Sequence, residues 1–137
     1  MEDTAEVRRS ALQGAWGAAA AALQQDWEGF DSLVAGGVRD PFEACAWALA
    51  AVGGVQAIIR GCDLDPCGWS AAVDAAIAGD LEAAISELRR QIVADGAGVT
   101  VGRAIGQLAV AVTVVARMRE QDPVRLAQQL CLDVAGT

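Results

Sequence analysis

The sequence predicts an all-α fold: one domain over residues 1–137, an antiparallel bundle of about six helices around a buried central helix at about 41–60. Three observations predict it. Apolar residues recur at three- and four-residue spacing, and no segment sustains the two-residue alternation of a strand. Each of the three prolines follows an aspartate, in Asp40-Pro41, Asp65-Pro66 and Asp122-Pro123. Aspartate is a good N-cap and proline fits the first helical position, so each pair reads as a helix start. Glycines at Gly36-Gly37, Gly61, Gly79, Gly96 and Gly136 mark helix ends, leaving only short loops between them.

In chain order, the first helix is expected at about 4–35, with Leu12, Trp16, Leu23, Trp27, Phe30 and Val34 along its apolar stripe. The second, at about 41–60, opens with Asp40 at the N-cap and Glu43 at N3, a capping-box-like pair. From Phe42 to Ile59 it is apolar nearly all round, which makes it the central helix. The third is read from Pro66 to about 78. The fourth, at about 81–94, sets Leu81, Ile85, Leu88 and Ile92 against Glu87, Arg89 and Arg90 on its other side. The fifth, at about 99–120, carries Val101, Ile105, Leu108, Val112 and Val115, and a sixth follows Pro123 to about 135.

Composition excludes whole classes of chemistry. The chain has 30 Ala, 15 Gly and 15 Val but no His, Lys, Tyr or Asn; ten arginines face 18 carboxylates, for a net charge of −8. Histidine triads, histidine metal sites, Schiff-base lysines and P-loop lysines are therefore ruled out. So acidic a chain, lacking a basic recognition helix, predicts no nucleic-acid or anionic-membrane partner. Lys, Asn and Tyr have A/T-rich codons, and their absence points to a high-GC bacterial genome. The start Met1-Glu2-Asp3-Thr4-Ala5-Glu6 lacks the positive region of a signal peptide. The longest apolar stretches, 44–55 and 108–116, fall short of the ~20 residues that span a bilayer. A cytoplasmic protein with reduced thiols is expected.

Four constellations remain as candidates. Gly98, Gly102 and Gly106 lie four residues apart on one helix face, where another helix can approach closely, with Gly53-Gly54 as the docking partner within the chain or a second subunit outside it. Cys62 and Cys67 flank Asp63-Leu64-Asp65-Pro66; Cys67 would sit at a helix start, which lowers a thiol pKa, while the two aspartates raise it. The same stretch resembles part of an EF-hand loop, with Asp63, Asp65, Gly68 and Asp74 in register, but Cys67 replaces an oxygen ligand and Asp74 stands for the bidentate Glu. No metal and no cofactor are expected. Finally, Gln56 with Arg60, Arg103 with Gln107, and Asp74 interrupt apolar helices and are expected to meet across the bundle. With Trp69 they form a substrate-binding set in which Asp74 and Glu43 are the acid/base candidates.

Two functions fit these features. The first is a small all-α subunit acting through assembly, with itself or with a second protein chain, and able to supply part of a small-molecule pocket. The alternative is a small-molecule enzyme of bacterial specialised metabolism using carboxylate acid/base catalysis.

Overall fold

The computed structural model describes residues 4–135. They form seven helices: α1 Thr4–Leu23, α2 Trp27–Gly37, α3 Pro41–Gly61, α4 Ala71–Ile77, α5 Leu81–Asp95, α6 Ala97–Arg119 and α7 Pro123–Ala135. The all-α bundle is as the sequence predicts, with two corrections to its elements.

The expected helix over 4–35 is two helices. Gln25 takes a left-handed conformation (φ 59°) and the Asp26 amide donates to Ala21 O at 2.9 Å, the six-to-one bond of a Schellman turn. Asp26 then caps α2 by accepting from the Gly29 amide at 3.0 Å. Trp27 is consequently 57% exposed rather than part of the core stripe, and it meets Phe30 edge to face at 6.0 Å. The same end-turn recurs at Asp63, Gly79 and Glu120, each with positive φ and each followed by an amide bonded five residues back.

The second correction concerns Asp65-Pro66. Here Asp65 Oδ1 accepts from the Cys67 amide at 2.9 Å, its carbonyl accepts from Trp69 Nε1 at 2.9 Å, and Gly68 has φ 91°. That is a turn stabilised by its own aspartate. The helix starts later, where the Ser70 hydroxyl accepts from the Val73 amide.

The core forms around α3, as expected from its apolar circumference. Its buried Val52, Val55, Ile58 and Ile59 pack mainly toward α6, which contributes Val101, Ile105, Leu108, Val112 and Val115. The small residues Ala11, Ala15, Ala18 and Ala19 of α1 let that helix lie close against the pair, and Leu126 and Ala127 of α7 close one side. Buried Trp16 reaches toward Gly54, and its Nε1–H has no hydrogen-bond partner, at a cost of about 1–3 kcal/mol. By length and composition α3 and α6 are each apolar enough to cross a membrane; 56% and 50% of their most apolar windows are buried inside the bundle.

Candidate functional site

The glycine spacing on α6 raises a packing question that the structure answers. A Cβ built at Gly98, Gly102 or Gly106 would meet nothing within 4 Å, and neither would one at Gly53. The expected docking of this face on Gly53-Gly54 does not occur. Gly54 instead receives Leu108 and Trp16, with a virtual Cβ only 2.9 Å from Leu108 Cδ1 and 3.1 Å from Trp16 Cζ2. The glycine face of α6 points outward. Helical arithmetic explains why: at 100° per residue, Gly106 and Val110 lie opposite buried Leu108 and Val115.

On this outward side lies a groove of about 890 Å³, floored by α6 and bounded by α5 and the 64–70 turn. Of the expected binding residues it gathers Trp69, Arg103 and Gln107, together with Gly106 of the interface set. Its apolar wall includes Val110 and Val114, 55% and 39% exposed, which the sequence reading passed over. Their signal was present, because α6 is apolar on both sides and a helix apolar all round is normally covered all round.

Three polar groups of this groove are anchored. Arg103 Nη1 donates to Asp95 Oδ2 at 2.8 Å, and the Thr100 hydroxyl donates to Gly96 O at 2.9 Å. Gln91 Nε2 donates to Glu87, whose carboxylate also accepts from Arg90 Nε at 3.0 Å. Arg90 first, and Gln91 second, hold the Glu87 carboxyl down to about 2. A group lowered in this way keeps its bonds above the ordinary carboxylate range and loses them as pH falls through about 2. A carbon-13 NMR titration is therefore expected to place the Glu87 midpoint near the bottom of the accessible range, and Arg90→Gln to move it up toward the ordinary glutamate value.

The other expected site residues stand elsewhere. Gln56 Nε2 donates to Ala76 O and Arg60 Nη2 to Ile77 O, each at 3.0 Å, so these two satisfy the carbonyls that end α4. Asp74 is exposed on α4 rather than embedded among apolar side chains. The expected meeting of Gln56, Arg60, Asp74, Arg103 and Gln107 therefore fails: two brace a helix end, two line the groove, and one faces solvent. Glu43 lines a separate hollow of about 220 Å³ beside Glu6, Arg39 and Trp47, and its amide donates to Asp40 at 2.8 Å. The two acid/base candidates share no cavity.

The cysteines are all free. Cys67 is exposed and lies in the turn, so no helix dipole lowers its pKa. The hydrogen bond and negative charge of Asp65 push its thiol up instead, away from the thiolate that redox or nucleophilic work requires. Cys62 Sγ accepts from Arg119 Nη2 at 3.5 Å.

A second groove, of about 730 Å³, was not foreseen. It runs between α1, α3 and α5 and is walled almost entirely by apolar side chains, with exposed Phe42, Leu81 and Val93 along its rim. Comparison with protein-family models, curated proteins and solved structures returns no match for the chain.

Proposed function

We propose that this chain is an assembly module whose α6 face seats the same face of a second copy. The observation that carries this reading is the open strip of Val99, Gly102, Gly106, Val110 and Val114 on the outward side of a helix whose opposite side is fully buried. Glycines without a neighbour within 4 Å leave room for a helix backbone, and the flanking valines supply apolar area to cover. Exposed apolar residues grouped in this way mark interaction surfaces, whereas scattered ones do not. A two-fold axis crossing α6 near Gly106–Val110 pairs like strip with like strip, the arrangement of an isologous dimer.

Sedimentation velocity on the purified chain tests this. The expected result is a dimer at micromolar concentration. Val110→Glu is expected to weaken it by at least about 2 kcal/mol, roughly a thirty-fold rise in dissociation constant, with the helical circular dichroism unchanged. A wild-type chain that sediments as a monomer at high micromolar concentration overturns the reading.

A second reading rests on the same groove. Trp69, Gln91, Arg103 and Gln107 present an aromatic surface and polar donors in a volume typical of small-molecule sites. The acid/base version has less support, since neither Asp74 nor Glu43 lines that groove. We propose a cytoplasmic protein whose open α6 strip is covered by a second protein chain, since a net charge of −8 disfavours an anionic membrane surface.

A further inference from the structure

The groove between α1, α3 and α5 has a chemical polarity along its length. Gln56 and Arg60, late in α3, bond the carbonyls just before α5, so α5 runs back antiparallel along α3. Its later residues, Arg89 and Val93, therefore lie at the Phe42 end of α3. α1 begins at that same end, since Glu6, Val7 and Ser10 share a hollow with Arg39 and Glu43. Arg8 and Arg89 thus both lie in the half of the groove nearer Phe42. From there it continues through Leu49, Ala50, Ile85 and Leu81 with no polar side chain. The distance from Arg89 to Leu81 along α5 is roughly 12 Å at 1.5 Å per residue.

Two features identify an occupant. No carboxylate lines this groove in a chain that carries 18 of them, and both lining charges are guanidinium groups. Among the described residues neither Arg8 nor Arg89 has a carboxylate within salt-bridge distance; the ion pairs there are Arg90–Glu87 and Arg103–Asp95. A partner helix with acidic flanks would call for cations spaced along the trough. Cations gathered in one half, followed by an apolar run, match a molecule with one anionic head and one apolar tail. Guanidinium groups bind carboxylates in a planar, two-point manner.

We propose that this groove binds a free medium-chain fatty acid, with its carboxylate held at Arg8 and Arg89 and its tail along Leu49, Ile85 and Leu81. The site is separate from the α6 face and does not depend on assembly there.

The test is isothermal titration calorimetry of dodecanoate, below its micelle concentration, into the full chain. One saturable site per chain is expected. The double variant Arg8→Gln/Arg89→Gln is expected to weaken binding by about tenfold or more, because a charge-assisted pair is lost. Dodecan-1-ol, with the same tail and no charge, is expected to bind weakly to a similar degree. Leu81→Glu, at an exposed rim position, is expected to lower affinity while leaving the helical circular dichroism intact. Cys45 lines the groove, so dodecanoate should slow its alkylation as read by peptide mass spectrometry. No saturable heat overturns the proposal, as does an affinity unchanged in both variants. Capture by phosphatidylglycerol vesicles without dodecanoate binding overturns it as well, and assigns the surface to a membrane instead.

Discussion

Trp47→Ala is expected to destabilise the fold by about 3–5 kcal/mol, enough to bring a domain of this size near unfolding. The ring is 5% exposed and occupies a slot made by glycines on two other helices. A Cβ at Gly14 of α1 would overlap the Trp47 ring, and so would one at Gly37, where α2 ends. One aromatic side chain therefore ties α3 to both helices before it. Removing it leaves a cavity bounded by backbone on two sides, and backbone does not relax into a void as a flexible side chain does. Gly14→Val is expected to be damaging for the converse reason, because the added side chain displaces the ring from its seat between Gly14 and Gly37. Urea denaturation followed by circular dichroism measures both. A Trp47→Ala loss under about 1 kcal/mol would show that the ring does not hold α1, α2 and α3 together.

The wedge also shows how far the sequence could be read. That Trp47 is a core residue follows from an apolar helix, but its dependence on Gly14 and Gly37 does not, because nothing local links the three. The break between α1 and α2 was hidden for a different reason. A Schellman turn is looked for at glycine, and here Gln25 takes the left-handed conformation, as Asp63 and Glu120 do later. Asp65-Pro66 misled because the same aspartate oxygen that caps a helix also closes a turn, and Ser70 supplies the true cap four residues after the proline. Of the expected binding set, Trp69, Arg103 and Gln107 share one groove, whereas Gln56 and Arg60 brace the end of α4. A polar residue on an apolar helix announces that it needs a partner. It does not announce that the partner is the frayed end of another helix. The outward direction of Gly106 was readable, since its angular opposition to Leu108 is fixed by the helical period.

Leu108→Ala is expected to cost about 2–5 kcal/mol, and Gly54→Val about 1–3 kcal/mol from overpacking, net of the small gain in helix propensity. The two are not expected to add. Leu108 Cδ1 stands 2.9 Å from where a Cβ on Gly54 would sit, so the valine methyls grow into the space that the leucine vacates. The double variant should recover about 1 kcal/mol or more of the summed loss, a coupling that thermal or urea unfolding of the four proteins resolves. Strict additivity would mean that the two helices do not cross at this contact. The crossing bears on function as well as stability. Leu108 sits opposite Gly106 and Val110 on α6, so whatever fixes the leucine against Gly54 also fixes the direction of the open strip. Gly54→Val alone should therefore weaken self-association even though it alters no residue of that strip. Loss of the dimer in Gly54→Val and its partial return in the double variant, at concentrations where both are folded, would tie assembly to the orientation of α6 and not merely to its exposed valines.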